Sequence, residues 1–388
     1  MNFALSSDQE AIRDTITGIC SRFGDDYWLT HDRDGGFPSD FYAAIAAGGW
    51  LGICIPEAYG GAGLGMTEAC VMMQAIAQSG AGMSGASAVH LNIFGLNPVV
   101  VFGTDEQKRR MLAPIARGEV KACFAVTEPN TGLNTTQLKT MAVKKGDRYV
   151  VHGQKVWISA AQNADKLLLL ARTTPLEEVK APTHGLSLFY TDLDRTRVAV
   201  HEIEKMGRKA VDSNELFIDG LEIPIADRIG EEGEGFRHIL HGLNPERTLI
   251  AAEACGLGFV AIDRAAAYAR ERVVFNRPIG MNQSVQHPLA KCWMELEAAR
   301  LMTMKAAWEY DQGLDCGASA NAAKFLAAEA GREACQTAVM THGGFGYAKE
   351  FHVERYLRES LIPWIVPVSP NLILCYIAEK VLGQPKSY

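Results

Sequence analysis

Residues 123–173 read CFAVTEPNTGLNTTQLKTMAVKKGDRYVVHGQKVWISAAQNADKLLLLART, and their pattern is the clearest structural signal in the chain. Branched and aromatic residues dominate short segments such as YVV, KVWIS and KLLLLA, and turn-forming residues separate them. This pattern is typical of short β-strands, and we place one turn at His152-Gly153. The strand-like composition begins near Lys121 and continues through GLSLFY and ELFIDGLEI to about Ile229. A β segment of about this extent is therefore predicted.

Helical patterns flank this β segment on both sides. Ser7 with Glu10 and Thr104 with Gln107 fit capping boxes, and apolar residues follow at spacings of three and four. After the Gly-rich loop GEEGEGF, long helical patterns run nearly to the end of the chain. The sequence thus predicts an α+β fold in three parts: an N-terminal helical domain over 1–121, a middle β domain over 122–233 and a C-terminal helical domain over 234–388.

Composition and charge exclude several classes of protein. Hydrophobic residues make up 48% of the 388 and charged residues 21%, which are values of an ordinary globular protein. The net charge of -7 does not indicate a nucleic-acid-binding protein, which would usually carry an excess of basic residues. Nine cysteines lie without a C-x-x-C pair, which favours free thiols. We find no signal-peptide pattern and no run approaching about 18 apolar residues, so we expect a cytoplasmic protein without a membrane partner.

The usual fingerprints of hydrolases and nicotinamide enzymes are missing. No glycine cluster fits G-x-G-x-x-G after a strand, and no P-loop occurs, so a Rossmann-type site is not predicted. The ten histidines show neither H-E-x-x-H nor another metal spacing, and we expect no metal. No G-x-S-x-G elbow appears either. The absence of these motifs is still compatible with a cofactor that is bound without a glycine-rich motif.

The stretch at 123–173 closely resembles the acyl-CoA dehydrogenase flavoprotein family. The resemblance covers nearly the whole chain in the family's order, and it continues through FGTDEQKRRMLAPIARGE, MGRKAVDSNELFIDGLEIPIADRIGEEGEGF, RERVVFNRPIGMNQ and GGFGYAKEFHVERYLRE. It implies an N-terminal helical domain, a middle β-barrel-like domain and a C-terminal four-helix bundle. It also implies a homotetramer that binds FAD between domains and subunits.

The resemblance also implies which residues hold FAD. The segment containing Phe124, Val126 and Thr127 would contact the flavin ring, and Trp157 and Ser159 would cover its other side. The positions implied for the pyrophosphate and adenosine, partly from a neighbouring subunit, are Arg272, Phe275, Gln283, Gly343 and Gly344. Taken singly, Thr127 could be a turn residue, Trp157 a core residue and Arg272 part of a solvated helix face. Their joint order and spacing favour the flavin site.

The catalytic base is the main departure from the family. The family's usual glutamate falls on Pro367, within the stretch IPWIVPVSPN at 362–371. In a branch that includes isovaleryl-CoA and long-chain acyl-CoA dehydrogenases, the base comes from another helix, in a stretch resembling Gly242-Leu-Asn-Pro-Glu246-Arg247. Glu246 therefore matches the alternative base. The competing interpretation makes Asn244 the N-cap of a helix and Glu246 a carboxylate in its first turn.

The implied reaction is the α,β-dehydrogenation of an acyl-CoA to a trans-2-enoyl thioester. Glu246 would take the α-proton while the β-hydride passes to FAD, and an electron-transfer flavoprotein would receive the electrons. The positions that match the substrate channel are Gly132, Leu133, Leu243, Asn244 and Arg247. Ser369 and Asn371 match flavin contacts. Because Pro367 has no N–H for the thioester carbonyl, we expect the Val368 N–H or an ordered water to replace it.

Two other functions fit the same sequence. A flavin oxidase or monooxygenase would keep the fold and change the reaction, although a monooxygenase would not need Glu246. A catalytically silent flavoprotein subunit would explain the loss of the usual glutamate. Leu133 stands where the family commonly has a serine that touches pantetheine, so an acyl carrier protein in place of CoA stays open.

Overall fold

The structure, a computed structural model, describes residues 3–387. Seven helices precede the sheet: α1 (Ser7–Cys20), α2 (Asp25–Asp34), α3 (Ser39–Ala47), α4 (Met66–Ile76), α5 (Gly82–Phe94), α6 (Asn97–Phe102) and α7 (Asp105–Ala116). Thr104 and Gln107 form the predicted capping box of α7. The box predicted at Ser7 and Glu10 is wrong by one residue, because the Ser6 side chain accepts the Gln9 N–H and caps α1.

Eight strands form one mixed sheet. They are β1 (Ala122–Ala125), β2 (Met141–Lys145), β3 (Arg148–Ser159), β4 (Lys166–Arg172), β5 (Leu186–Asp192), β6 (Val198–Glu202), β7 (Ser213–Pro224) and β8 (Arg228–Ile229). Their order is β6-β7-β3-β2-β4-β5-β8, with β1 parallel to β4. One face packs around Tyr149, Leu169 and Phe189, and the opposite face packs on α7 through Leu112 and Leu188. This sheet forms the β layer between the two helical parts.

The turn predicted at His152-Gly153 is wrong. Both residues lie inside β3, which pairs antiparallel with β2 from Arg148 to His152 and with β7 over its whole length. Glycine is needed at 153 because a Cβ there would come within 2.3 Å of the Thr140 hydroxyl oxygen. The glycine therefore allows close packing within the sheet, and the β2–β3 turn falls at Gly146-Asp147 instead.

The C-terminal part is built on three long helices. These are α8 (Gly235–Glu271), α9 (Gln283–Asp311) and α10 (Gly317–His342), and a short hairpin of β9 (Val273–Val274) and β10 (Arg277–Pro278) separates the first two. Small residues such as Ala254, Ala327 and Gly331 let α8 and α10 approach closely. Three short helices follow: α11 (Val353–Glu359), α12 (Leu361–Ile365) and α13 (Pro370–Tyr376). The predicted α+β class with helical, β and helical parts is confirmed.

Buried contacts join the first and last parts of the chain. The Glu359 carboxylate of α11 accepts the Met83 N–H at 2.7 Å and the Ser84 hydroxyl at 2.6 Å, both at the start of α5. Arg355 donates to the Gly80 carbonyl at 2.6 Å. Burial makes such charge-assisted bonds effective at holding the elements in place. Helix α5 is therefore fixed against the C-terminal helices.

Two stretches have the length and hydropathy of a membrane span, which the sequence analysis overlooked: Met66–Phe102 and Val353–Val381. Neither is an unbroken α-helix. A π-helical segment with Gly80 at φ +100° interrupts the first, and non-helical residues between α12 and α13 interrupt the second. The first stretch is mostly buried in the protein core.

Candidate active site

The predicted flavin-ring segments lie side by side. The Val156 N–H donates to the Thr127 carbonyl at 3.0 Å, which places Thr127 next to Trp157. Lys155, which is fully buried, donates from Nζ to the Val126 carbonyl, the Leu170 carbonyl and the Glu128 carboxylate at 2.8–3.0 Å. Burial lowers the pKa of Lys155 to about 8, and the Glu128 charge opposes that shift. The buried lysine thus fixes the segment that carries Thr127.

Trp157 and Ser159 occupy the end of β3. Trp157 is 60% exposed, so its alternative interpretation as a core residue is wrong. Its φ of +62° is unusual for a bulky residue and turns the indole away from the core. The Ser159 hydroxyl accepts from the Arg208 guanidinium at 3.1 Å. Phe124 packs against Phe94 of α5, whereas the Val126 side chain is buried and leaves only its backbone for a ligand.

The residues predicted for the pyrophosphate and adenosine lie on one exposed surface. Phe275 sits at the tip of the β9–β10 hairpin, 94% exposed and at φ +50°. Arg272 ends α8, and its guanidinium lies 5.6 Å from the centroid of Phe345, within the turn that contains Gly343 and Gly344. Gln283 is exposed at the start of α9. Among residues 3–387, Arg272 has no carboxylate partner, which leaves it free to bind phosphate.

Glu246 lies well inside a helix, not at its beginning. Helix α8 starts at Gly235, so the interpretation of Asn244 as N-cap and Glu246 as a first-turn carboxylate is wrong. A proline inside a helix leaves the carbonyl four residues earlier without its donor. Here the Asn97 side chain fills that role, because it donates to the His241 carbonyl at 3.0 Å. A contact distant in sequence therefore lets the helix continue through Pro245.

The environment of Glu246 suits a general base. Its carboxylate has no hydrogen-bond partner among the described residues. Burial raises the pKa of Glu246 to about 7, although the nearby charges of His90 and Arg247 act in the opposite direction. When the pKa of a carboxyl group lies near the working pH, a substantial fraction of the group is deprotonated, and the carboxylate is also basic enough to accept a proton readily.

His90 and Glu253, neither of them predicted as a site residue, form a close pair. His90 Nδ1 lies 2.5 Å from the Glu253 carboxylate, which is fully buried on α8. Burial alone would lower the pKa of His90, but Glu253 and Glu246 raise it overall. Nothing in the sequence near His90 signals this pair, whereas Glu253 is the one acid in the apolar stretch 248–262 and could have been singled out. A positive charge on His90 would lower the pKa of Glu246.

Three of the predicted substrate residues line one cavity. Leu243, Asn244 and Arg247 border a space of about 400 Å³, together with Val368 and Tyr376. The Arg247 guanidinium donates to the Asn244 side chain at 2.8 Å, and its buried Nε has no partner. Asn244 and Arg247 therefore contribute polar side chains to the wall of the cavity.

Buried Lys324 of α10 holds the segment in which Pro367 occupies the position of the family's usual glutamate. Its Nζ donates to the Val368 carbonyl at 2.7 Å and to the Trp364 carbonyl at 3.1 Å, on either side of Pro367. Burial and the neighbouring Arg247 charge lower the pKa of Lys324 to about 8. This lysine was also missed, because only the fold brings α10 to the segment.

The remaining predicted residues lie elsewhere. Gly132 and Leu133 are exposed in the connection between β1 and β2, and neither lines the 400 Å³ cavity. The Ser369 hydroxyl accepts the Leu372 N–H and caps α13. Asn371 is exposed in the first turn of α13.

The side chains present fit FAD. The exposed Trp157 indole can stack on a planar ring system, and Thr127 pairs through its carbonyl with the neighbouring Val156 N–H. The unpaired Arg272 guanidinium matches phosphate oxygens. No Cβ built on Gly343 or Gly344 would meet another atom within 4 Å, so a ligand can approach that backbone. The ring-binding and phosphate-binding groups are therefore both available.

Comparison with known proteins identifies the family. Family models described as acyl-CoA dehydrogenase N-terminal, middle and C-terminal domains match residues 6–119, 123–221 and 233–366. The acyl-CoA dehydrogenase fadE12 of Mycobacterium bovis is 36% identical over 393 residues, covering 100% of this chain and 99% of that protein. The chain therefore belongs to the acyl-CoA dehydrogenase family. It is an FAD-dependent enzyme of that family. The domain bounds at 121 and 233 stay a prediction.

Two solved structures agree with this assignment. One is described as the electron transferring flavoprotein of Acidaminococcus fermentans, with a TM-score of 0.94, 29% identity and coverage of 99% of this chain and 100% of that chain. The other is glutaryl-coenzyme A dehydrogenase in complex with glutaryl-CoA, with a TM-score of 0.94, 28% identity and coverage of 100% and 98%.

Proposed function

We propose that the protein dehydrogenates an acyl-CoA between its α- and β-carbons and that Glu246 is the base. The observation that carries this proposal is the free Glu246 carboxylate, whose pKa of about 7 is set by burial. Residues that act electrostatically on Glu246 connect it to two candidate ligand-binding regions. His90 beside it packs at 4.8 Å on Phe94, which contacts Phe124 of the flavin segment, and the next residue, Arg247, lines the 400 Å³ cavity.

The residues of this chain would act in sequence on the substrate. The thioester and pantetheine are assigned to the cavity of Leu243, Asn244 and Arg247, where the Arg247 guanidinium can donate to a ligand oxygen. Glu246 would then take the α-proton, a step that typically contributes about 10²- to 10⁴-fold. FAD supplies the hydride acceptor. The product would be a trans-2-enoyl thioester.

The carbonyl of the thioester needs a donor that Pro367 cannot supply. We assign this role to the Val368 N–H or to an ordered water. Supporting this, Val368 lines the cavity beside Arg247, and Lys324 holds its carbonyl. A fixed carbonyl orients the adjoining peptide groups, which is what preorganised stabilisation of a developing oxyanion requires.

Assembly as a homotetramer in the cytoplasm, with an electron-transfer flavoprotein as acceptor, is part of the proposal. Helix α9 exposes Trp293, Leu301 and Trp308 at spacings of eight and seven residues, which places them on one face. Apolar stripes of this kind mark interaction surfaces. The similarity to a structure described as an electron transferring flavoprotein supports that acceptor.

Anaerobic mixing with a panel of acyl-CoAs tests the reaction. Loss of the oxidised flavin absorbance and formation of an enoyl-CoA are the expected results. Rapid reoxidation of the reduced enzyme by oxygen, with hydrogen peroxide as product, would instead indicate an oxidase. A protein that holds FAD but is reduced by no acyl-CoA and no acyl carrier protein thioester would be a silent subunit.

A further inference from the structure

A buried ammonium group lies at the point where β1 and β4 separate. The parallel pairing of the two strands ends at Ala125 and Leu169. The carbonyls of the next two residues, Val126 and Leu170, accept hydrogen bonds from Lys155 Nζ at 2.9 and 2.8 Å. Lys155 belongs to β3 and is fully buried. Its side chain therefore replaces the next step of the ladder between β1 and β4.

The Glu128 carboxylate fixes this ammonium group. Glu128 Oε1 accepts from Lys155 Nζ at 3.0 Å, and both side chains are buried. The carboxylate also accepts the Thr140 N–H at 3.0 Å and the Lys139 N–H at 2.7 Å. A lysine has three N–H donors, so two carbonyls and one carboxylate satisfy Lys155 completely. Because a buried ion pair persists only where such bonds satisfy both groups, the position of Nζ is defined.

The lysine determines which way the peptide group between Val126 and Thr127 faces. In a trans peptide group the C=O and the N–H point in opposite directions. The Val126 carbonyl points to Lys155 in the interior, so the Thr127 N–H points away from it. That N–H has no hydrogen-bond partner among residues 3–387. A free backbone donor thus lies on the side opposite the ion pair.

The same part of β3 also carries the exposed indole of the flavin site. The register of β3 against β7 shifts between Lys155 and Ile158. Within this irregularity the Val156 N–H donates to the Thr127 carbonyl at 3.0 Å, and Trp157 turns outward. Two adjacent residues of β3, one through its side chain and one through its backbone, therefore hold the segment of Thr127 next to Trp157.

We infer that Lys155 is a positioning residue for FAD: it fixes the Val126 carbonyl and so directs the free Thr127 N–H to an acceptor atom of the flavin ring. Glu128 contributes by holding the ammonium group. A hydrogen bond is stronger when its acceptor carries more negative charge, so this N–H favours the reduced ring over the oxidised ring. Lys155 thereby raises the reduction potential of the bound flavin. The inference rests on FAD binding and goes beyond the proposed reaction.

The bound flavin itself reports on this role. Lys155→Met keeps a long side chain that cannot donate, and in the FAD-loaded protein we expect a lower midpoint potential and a shifted flavin absorption band. FAD should bind roughly 3- to 10-fold more weakly, the range of one neutral hydrogen bond. Lys166→Met removes a partly exposed lysine of β4 that pairs with Asp192, and this control should change none of the three quantities. A wild-type potential and spectrum in Lys155→Met would overturn the inference.

Variants of Glu128 separate the orientation of the peptide group from the effect of charge. Glu128→Gln leaves Lys155 bonded to the Val126 carbonyl, so its potential should stay close to that of wild type. Lys155→Met/Glu128→Gln has no charge left unpaired, which favours folding even where Lys155→Met alone does not fold. This double variant should keep the lowered potential. A raised potential in Glu128→Gln together with a wild-type potential in the double variant would show an effect of charge alone and would reject the positioning role.

The potentials are measured by chemical reduction against a reference dye, without an acyl thioester. When no thioester reduces the flavin, the proposed dehydrogenation fails, and the comparison of wild type with the Lys155 and Glu128 variants still decides this inference. Conversely, normal reduction by an acyl-CoA does not rescue the inference when the variants keep the wild-type potential.

Discussion

Glu246 is the residue on which the proposed chemistry depends. Glu246→Gln keeps the size of the side chain and removes its basicity, so FAD should stay bound. We expect acyl-CoA-driven flavin reduction to fall by at least about 10²-fold. Stopped-flow absorbance measures the rate, and Glu271→Gln at the exposed end of α8 is the matched control. Reduction near the wild-type rate would return Glu246 to a structural role.

The pH profile of flavin reduction should report the ionisation of Glu246. A base works deprotonated, and burial raises the pKa of Glu246 to about 7. The rate should therefore rise about tenfold per pH unit below 7 and level off above it. A rate that does not change between pH 5 and 8 would contradict this assignment.

His90 should control the position of that profile. The positive charge of His90 lowers the pKa of Glu246, so removing it in His90→Gln should move the inflection to higher pH. His184→Gln, at a half-exposed histidine far from α5 in sequence, is the control and should leave the inflection in place. A purely structural role for His90 would lower the rate without moving the inflection.

At the scale of elements, the contact between Asn97 and α8 should be coupled to Pro245. Asn97→Ala removes the donor to the His241 carbonyl and should cost about 1 kcal/mol, a fall in Tm of roughly 1–3 °C. In Pro245→Ala the backbone N–H regained at position 245 can bond to that carbonyl, so the same asparagine change should cost less. Calorimetry of the four proteins gives the coupling, and equal costs in both backgrounds would refute it.

The same contact shows what sequence patterns could and could not predict for the elements. Thr104 and Gln107 are close in sequence, so the cap of α7 was predictable from local chemistry. The start of α8 was not, because proline usually marks the first turn and only the distant Asn97 lets the helix pass through Pro245. The turn predicted at His152-Gly153 was wrong for a similar reason. Glycine is needed at position 153 because Thr140, on a neighbouring segment, leaves no room for a Cβ.

Some residues of the candidate site could likewise be predicted from sequence, and others could not. Glu246 and Arg272 lie in stretches that resemble family motifs, so both could be predicted from sequence. His90 and Lys324 are single polar residues without a local pattern, and their contacts join residues that are 40 to 163 positions apart in sequence. Such contacts exist only once the helical and β parts are packed together.

At the scale of the whole molecule, the exposed face of α9 should mediate self-association. Leu301→Asp places a charge between Trp293 and Trp308, and we expect it to shift the protein from the proposed tetramer to smaller species. Size-exclusion chromatography with light scattering measures the mass. Lys291→Asp, at an exposed position on the same helix, is the control. An intact tetramer in Leu301→Asp would place the interface elsewhere.

The exposed hairpin tip at Phe275 has a consequence for how the protein is handled. Phe275 is 94% exposed, and Gly343 and Gly344 face open space in one chain. In the proposed tetramer each FAD contacts two chains, so cofactor retention and subunit association are linked by mass action. Dilution should then release flavin without unfolding the chain, and added FAD should drive reassembly. The yellow colour per chain would therefore depend on protein concentration.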